Sequence, residues 1–269
     1  MNIAQPATLS LPLRKARVLL AYRGAAFRKP ALALRYLLHD REVTNFTYDI
    51  DNVAELEAFV CLALGRPPAE VKRLLAEPAA DLELLDALTY SLRAHPHRNP
   101  RPLFGRRLGW YAVIRALKPG LVVETGVHDG LGSSLLLRAL ERNAAECAPG
   151  RLIAFDVDPS SGWLVEPAWR GRYELVIGDV RRTLAATIAG LRVGVFIHDS
   201  LHTYEHERFE FEVALQHVDE RFALISDNAH ATTALADLCR ERRLRYAYFR
   251  ERPREHFYPG AGIGLGIPA

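Results

Sequence analysis

Cysteines are few in this 269-residue sequence, and long apolar runs are lacking. Cys61, Cys147 and Cys239 stand far apart without the CxxC spacing of a thiolate zinc site, and their odd number argues against a disulfide framework. The sequence has no apolar stretch of about 18 residues that could span a membrane, and its N-terminus lacks the pattern of a signal peptide. We therefore expect a cytoplasmic protein that has no membrane partner.

An excess of charge of one sign is also lacking, because 35 basic residues face 32 acidic ones and the formal net charge is only +3. A nucleic-acid partner is therefore not expected, since such proteins carry a strong basic surface. The composition, with 49% hydrophobic and 25% charged residues, is that of a globular protein with enough chain to bury a core.

Residues 1–98 are predicted to form a helical N-terminal region. The predicted helices, each with apolar residues at helical spacing, are Val53 to Leu64, Pro68 to Ala76 and Asp81 to Leu92. Asn52 and Glu55 have the spacing of a capping box, and Gly65 can end the first of these helices. Because apolar helix faces need a partner, we expect this region to cover a ligand pocket, to form a homo-oligomer interface, or both.

The prolines between His95 and Leu103 cannot continue a helix, and residues 99–269 show a different pattern. Short apolar runs alternate there with amphipathic segments. The predicted strands are Leu121 to Thr125, Arg151 to Phe155, Glu174 to Ile177, Val193 to Ile197, Ala223 to Ser226, Arg245 to Phe249 and Gly262 to Ile267. Helices between strands imply parallel crossovers. A Pro259-Gly260 turn separates the last two strands and indicates that these two pair in an antiparallel hairpin. We predict a Rossmann-like, doubly wound α/β fold whose seven-stranded sheet is mostly parallel and ends in an antiparallel hairpin.

A glycine loop joins the first predicted strand to the next helix, with the pattern Thr125-Gly-x-x-x-Gly-x-Gly132. Glycine permits positive φ and lets a ligand approach the backbone, at the sheet edge where such folds bind ligands. A tight turn without a ligand remains an alternative. The loop also matches that of short-chain dehydrogenases, but no tyrosine here has a lysine four residues later, as that family requires. An NAD(P)-dependent oxidoreductase is therefore the less favoured interpretation.

Acidic residues follow the first three predicted strands. Glu124 lies at the end of the first strand, inside a Glu-x-Gly pattern. Asp156 follows the second strand, where a carboxylate can accept hydrogen bonds from both hydroxyls of a ribose, whereas Asp158 before Pro159 is better explained as a turn residue. Asp179 follows the third strand in a Gly-Asp pair, which is also a common turn signal.

An acid and histidine cluster follows the fourth and fifth strands, whose carboxyl ends should meet at the same sheet edge. It contains Asp199 and His202 after the fourth strand, and the pair Asp227-Asn228 after the fifth. Two carboxylates and an amide oxygen are donors suited to Mg²⁺. The run from His202 to His206 also matches the HxxEH of zinc peptidases, but it begins directly after a buried strand; Glu205 and His206 are better explained as solvent-exposed helix residues.

These motifs together resemble class I S-adenosylmethionine (SAM) dependent O-methyltransferases of the catechol type, and more closely the macrocin-like bacterial enzymes that methylate sugars of natural products. The resemblance covers about Gly105 to Ala269. It implies a SAM site, an Mg²⁺ site and a catalytic pair. The implied SAM-binding residues are Glu124, Gly126, Gly130, Gly132, Ser133, Asp156 and Asp179; the implied metal ligands are Asp199, Asp227 and Asn228; the implied catalytic residues are His202, as base, and Asp199.

The chemistry implied by this resemblance is transfer of a methyl group to an oxygen of a small hydroxylated acceptor. The metal would lower the pKa of a substrate hydroxyl, and His202 would remove its proton, since imidazole titrates near neutrality. Metal-free O- or N-methylation with His202 as base is the nearest alternative, and a SAM-binding protein without catalysis is another. The helical N-terminal region resembles neither family closely, so the acceptor is not implied.

Overall fold

The computed structural model describes residues 10–39, 47–95 and 98–269. Residues 1–9, 40–46 and 96–97 of the predicted N-terminal region lie outside this description. The helices are α1 (Leu11–Ala21), α2 (Arg23–Arg28), α3 (Pro30–Leu38), α4 (Val53–Leu64), α5 (Pro68–Ala76), α6 (Leu82–Ala94), α7 (Arg107–Leu117), α8 (Leu131–Ala145), α9 (Val180–Ile188), α10 (Tyr204–Leu215) and α11 (Ala234–Arg242). The strands are β1 (Leu121–Thr125), β2 (Arg151–Asp156), β3 (Tyr173–Ile177), β4 (Val193–His198), β5 (Val218–Asp227), β6 (Arg245–Arg250) and β7 (Gly262–Ile267).

The seven strands form one sheet in the order β3-β2-β1-β4-β5-β7-β6. The strands β1 to β5 pair in parallel, and β7 runs antiparallel between β5 and β6. This arrangement confirms the predicted fold class, including the C-terminal hairpin. The chain order reverses between β1 and β4, and ligands of open α/β sheets bind outside the carboxyl ends of the strands at such a switch point.

Burial explains why the strands could be recognised from apolar runs. Every residue of the central strands β1 and β4 is buried, because helices cover both faces of the sheet. On one face α7 and α8 join the core with Trp110, Leu135 and Leu136, and on the other α9 and α10 contribute Leu184 and Phe211. Strands covered on both sides read as continuous apolar segments rather than as alternating ones.

The helices α4 to α6 share their hydrophobic core with the sheet domain. Leu56, Val71 and Leu88 belong to the same buried cluster as Trp110 and Ile225. The predicted end of α4 is confirmed, because Gly65 caps the helix in the left-handed conformation with φ 62°.

The predicted capping box at the start of α4 is wrong, because the Asn52 side chain makes no hydrogen bond to the amides of the helix. It binds Glu55 and also bridges to the end of β6, donating to the Arg250 carbonyl at 2.9 Å and accepting from the Arg252 amide at 2.8 Å. A long-range tie between α4 and the sheet therefore replaces the local cap.

The helices α1 to α3 form a smaller cluster against the C-terminal loop. Val18, Ala33 and Tyr36 pack with Phe257, which lies between β6 and β7. Several large apolar side chains of these helices remain exposed, namely Leu20, Phe27, Leu34 and Leu38. Among the described helices, none has the length and apolar character to cross a membrane.

We expect residues 99–269 expressed alone to aggregate or to unfold at a lower temperature than the full chain. Removal of α4 and α5 would uncover α7, whose Trp110 and Tyr111 are fully buried, and would remove Glu77, which accepts a 2.8 Å hydrogen bond from Tyr111. Large exposed apolar patches favour aggregation. Circular dichroism melting and size-exclusion chromatography of both chains would check this. A monomeric fragment that melts with the full chain would show that α4 to α6 are dispensable for folding.

Candidate functional site

A cavity of about 1110 Å³ opens at the carboxyl edge of the parallel strands. The loops that follow β1 to β5 all contribute to its walls, α1 adds Arg14 and Val18, and Tyr22 directly after α1 adds its ring. Most of the predicted site residues line it: Glu124, Gly126, Gly132, Asp156, Asp179, Asp199, His202 and Asn228. The fold therefore brings the glycine loop and the acid and histidine cluster to one cavity.

The glycine loop packs directly against the end of β4. Gly126 has φ 84°, and a Cβ atom built on it would lie 2.2 Å from the carbonyl oxygen of Asp199. Gly130 has φ 89° and leads into α8. A Cβ atom built on it would lie 2.9 Å from the Cα atom of Gly162. Both positions require glycine for conformation and for space. The loop is consequently held in one place beside Asp199.

Glu124 is a buried carboxyl group at the end of β1. The Ser133 hydroxyl donates a 2.5 Å hydrogen bond to it. Burial raises the pKa of Glu124 to about 8, against the opposing effects of Ser133 and Arg107, so the group is mainly protonated at neutral pH. The Nε atom of Arg107 is also buried, and it has no hydrogen-bond partner among the described residues.

Asp156 organises the backbone around the predicted cofactor site. One carboxylate oxygen accepts hydrogen bonds from the Val127 and His128 amides at 2.8 and 2.9 Å, and the other accepts from the Asp158 amide at 2.9 Å. The Asp158 carboxylate binds the amide and hydroxyl of Ser160, as a turn residue does. Three of the roughly four lone-pair directions of the Asp156 carboxylate are therefore used inside the protein.

Asp179 caps helix α9, because its Oδ1 accepts the amide hydrogen bond of Arg181 at 2.9 Å. The turn interpretation of the Gly178-Asp179 pair is thus correct in geometry. The residue nevertheless lines the cavity at the end of β3. Beside it Val157, which follows β2, exposes 72% of its surface.

The residues of the acid and histidine cluster are in mutual contact. The Asn228 amide nitrogen lies 2.9 Å from His202 Nε2 and donates to Asp227 at 3.0 Å. His202 Nε2 is also 3.6 Å from an oxygen of Asp199. Asn228 itself has φ 58°, a conformation that asparagine tolerates and that turns the chain into the cavity.

The pKa values within this cluster diverge because of burial and charge. Burial and the neighbouring Asp227 charge raise the pKa of Asp199 well above its usual range. Burial opposes the ionisation of Asp227, but Arg106 outweighs it and lowers the pKa to about 2. Burial, together with the nearby His198, lowers the pKa of His202 to about 3, so its imidazole is neutral at pH 7. The imidazole is therefore in the form that accepts a proton, but it is a weaker base than an ordinary histidine, and the expectation that it titrates near neutrality is wrong for the structure without a ligand.

Arg106 is a residue of the site that the sequence analysis did not identify. Its Nε donates to Asp227 Oδ1 at 2.6 Å, and Nη2 binds the other oxygen of the same carboxylate. Its Nη1 donates to Glu251 at 2.9 Å. The sequence signal was a pair of arginines after Gly105, directly before a helix, and it gave no indication of partners more than a hundred residues away.

The predicted Mg²⁺ ligands do not fit a metal site in this arrangement. Both oxygens of Asp227 are held by the guanidinium of Arg106, and Asn228 presents its amide nitrogen, not its oxygen, to the centre of the cluster. Within the described residues, no group of three or more histidine, cysteine or acidic side chains could hold a metal ion. Mg²⁺ needs near-octahedral oxygen donors, which these contacts do not provide.

Glu210 of α10 is the centre of a second buried network. Its carboxylate accepts hydrogen bonds of 2.6 Å from Thr125 and Ser200, and it lies 2.7 Å from His198 Nδ1 and 2.8 Å from His206 Nε2. Burial opposes the ionisation of Glu210, but His198 and His206 outweigh it and lower the pKa to about 2. The prediction that His206 is a solvent-exposed helix residue is wrong, because α10 presents it to this carboxylate and only 7% of its surface is exposed.

Comparison with known proteins identifies the central part of the chain. Residues 123–229 match the family model of a methyltransferase domain. No curated protein sequence matches the chain at a significant level.

Three solved structures illustrate the similarity of fold. A Klebsiella pneumoniae protein assigned as an O-methyltransferase is 13% identical, with a TM-score of 0.52 over 80% of this chain and 97% of its own. A Podospora anserina methyltransferase bound to S-adenosylhomocysteine (SAH) is 12% identical, with a TM-score of 0.50 over 69% and 88%. The SAM-bound O-methyltransferase TomG of Streptomyces achromogenes, involved in tomaymycin synthesis, is 14% identical, with a TM-score of 0.45 over 59% and 77%.

Proposed function

We propose that this chain is a class I SAM-dependent methyltransferase, as its matched domain and its fold support, and that it transfers the methyl group of SAM to an oxygen of a small hydroxylated metabolite, of sugar-like or natural-product type. The observation that carries the proposal is the contact between the glycine loop and the end of β4. Gly126 lies against the backbone of Asp199, three residues before His202, in the wall of one cavity. A cofactor on the loop and an acceptor beside His202 would therefore be neighbours.

The cofactor side of the cavity offers groups that suit SAM. Asp156 lies at the end of β2, and its remaining acceptor capacity suits a ribose hydroxyl. The exposed side chain of Val157 and the neighbouring Asp179 suit the apolar faces and the amino group of adenine. Arg107, whose buried Nε lacks a partner in the described chain, suits the carboxylate of the methionine part.

His202 is the residue that we assign to the acceptor proton. In the step that we propose, an acceptor oxygen forms a bond to the methyl carbon, the sulfur–methyl bond breaks, and its electron pair stays on sulfur to give SAH. The acceptor hydroxyl displaces the Asn228 amide from His202 Nε2, and its proton passes to that nitrogen of the neutral imidazole. Positioning of the two reactants in one cavity removes much of the entropic barrier of such a step. Asp227, one of the three residues that would hold a metal, is already held by Arg106 at both carboxylate oxygens, and the proposed step uses no metal.

The N-terminal region is assigned to the acceptor side. Arg14 and Val18 of α1 and the following Tyr22 line the cavity together with Tyr258, whose ring packs edge-on against Tyr22 with 5.0 Å between centroids. We propose that residues 1–98 form the acceptor cover of a methyltransferase core at residues 99–269. The exposed apolar side chains of α2 and α3, such as Phe27 and Leu38, support an additional homo-oligomer interface.

We expect calorimetric titration with SAH to show binding and titration with NADH or NADPH to show none. Asp156→Ala should weaken SAH binding by about 1.5–3 kcal/mol, or roughly 10- to 150-fold in Kd, because it removes charge-assisted hydrogen bonds and the anchor of the loop amides. Asp158→Ala is the matched control and should retain the wild-type Kd. Binding of NADPH without a response to SAH would refute the proposal, and an unchanged Kd in Asp156→Ala would exclude the assigned ribose role.

Catalysis is tested with the same protein by screening phenols and sugars for acceptor-dependent release of SAH from SAM. A purified protein that binds SAH but releases none with any hydroxylated acceptor would instead support a SAM-binding protein without catalysis.

A further inference from the structure

The centre of the acid and histidine cluster holds a cationic side chain. Arg106 enters from the segment before α7 and makes two parallel hydrogen bonds to Asp227 and one to Glu251. Its backbone amide also donates to Glu251 at 3.0 Å. The side chain of Arg106 exposes only 9% of its surface, and those of Asp227 and Glu251 expose none. Such a paired geometry is the strongest form of arginine–carboxylate recognition.

Further contacts fix Glu251, and through it Arg106. Tyr48 donates a 2.5 Å hydrogen bond to Glu251, and the Ala261 amide donates another at 2.9 Å. A Cβ atom on Gly105 would lie 3.2 Å from the Glu251 carboxylate, so the backbone before Arg106 is also closely packed there. The guanidinium is thus held by β5 through Asp227 and by the loop between β6 and β7 through Glu251, which Tyr48 of the N-terminal region fixes in turn. It cannot leave the cluster without breaking several buried hydrogen bonds.

The orientation of the Asn228 amide agrees with a guanidinium, rather than a metal ion, beside Asp227. Its amide nitrogen donates to Asp227 and lies against His202 Nε2. Exchange of the amide oxygen and nitrogen would put the oxygen against the Asp227 carboxylate, which is repulsive, so the hydrogen-bond network fixes the assignment. Each carboxylate oxygen of Asp227 is therefore already hydrogen-bonded, and the amide oxygen of Asn228 does not face the centre.

We infer that the guanidinium of Arg106 is the permanent cation of the acceptor site and excludes a divalent metal ion from Asp199, Asp227 and Asn228. This inference rests on the proposed function, because Arg106 lines the same cavity as His202. Arg106 acts as a positioning residue: it fixes Asp227, which fixes Asn228, which contacts the imidazole of His202. Methyl transfer by this chain is consequently independent of divalent cations, unlike that of the family it resembles.

The test uses Mn²⁺, whose free concentration is measured by electron paramagnetic resonance, with full-length protein dialysed against EDTA. We expect the wild type to bind no Mn²⁺ at this site and to keep its SAH Kd in EDTA. Arg106→Met frees the two buried carboxylates of Asp227 and Glu251 from their guanidinium partner, and it should gain stoichiometric Mn²⁺ binding that the wild type lacks. The matched variant Arg106→Lys retains the charge and should bind none.

The wild-type titration decides the matter even if Arg106→Met does not fold. Stoichiometric Mn²⁺ binding to the wild type that Asp227→Asn abolishes would overturn the inference, as would an Arg106→Met variant that folds and binds no more Mn²⁺ than the wild type. Failure of the proposed function has a different signature, namely no SAH binding to the wild type with or without Mn²⁺.

Discussion

His202→Ala should lower turnover by about 10²–10⁴, the usual contribution of a positioned acid or base, while SAH binds with unchanged affinity. The imidazole contacts Asn228 and Asp199 on the acceptor side of the cavity, and the loop residues that we assign to the cofactor do not depend on it. A group that acts only in the transition state lowers kcat and kcat/KM together. Steady-state kinetics with an acceptor found by the screen, together with SAH calorimetry, would measure both effects.

His217→Ala is the control for this experiment, because His217 follows α10, makes backbone hydrogen bonds to Ala214 and Val193, and is not among the described residues that line the cavity. It should retain wild-type turnover. If His202→Ala turned over at the wild-type rate, the chemistry would lie elsewhere in the cavity. If only KM rose, His202 would bind the acceptor without taking its proton.

Gly126→Ala should abolish SAH binding and destabilise the fold. The left-handed conformation costs an ordinary residue about 1–2 kcal/mol, and forcing atoms into a packed region costs a further 1–3 kcal/mol or so. The added Cβ would lie 2.2 Å from the Asp199 carbonyl, which belongs to backbone and cannot rotate away. The loop must therefore move from the end of β4, and the cofactor site moves with it. Urea unfolding and SAH calorimetry would report the two losses separately.

Gly190→Ala separates the two contributions, because Gly190 also has positive φ, 74°, but the described residues place no atom within 4 Å of its Cβ position. This variant should lose only the free energy of unfolding that the left-handed conformation costs alanine, and it should bind SAH normally. Equal losses in the two variants would mean that the close approach of Gly126 to Asp199 does not contribute to stability. Retained SAH affinity in Gly126→Ala would mean that the cofactor does not depend on the placement of this loop.

The sheet could be predicted from the sequence because its determinants are local. The end points of β1 were predicted correctly from an apolar run between turn signals. The end of α4 was predicted from the glycine that follows it, and the start of α5 from its first proline. The strand β5 is longer than predicted, because its first half, from Val218 to Phe222, is polar and exposed apart from its ends. Such a segment joins the sheet through backbone hydrogen bonds, which leave no apolar pattern in the sequence.

The site could be predicted only in part, because its electrostatics depend on residues distant in the chain. Asp199, His202 and Asn228 were predicted to lie at one sheet edge, and the structure confirms that they meet. Asp227 was predicted to bind a metal because no local pattern revealed that Arg106, 121 residues earlier, binds both of its oxygens. Likewise, nothing in the spacing of α10 indicated that Glu210 would gather hydrogen bonds from β1, β4 and its own helix.

The contact between Arg106 and Glu251 also determines how much of the chain must be synthesised before the protein can finish folding. The two residues are 145 positions apart, so a ribosome needs on the order of 10 s to make the second after the first. During that interval the guanidinium lacks Glu251, and for most of it Asp227 as well, and the helices made earlier have no finished sheet to pack against. Nascent chains that stop before the C-terminal hairpin should therefore be substrates for chaperones and proteases.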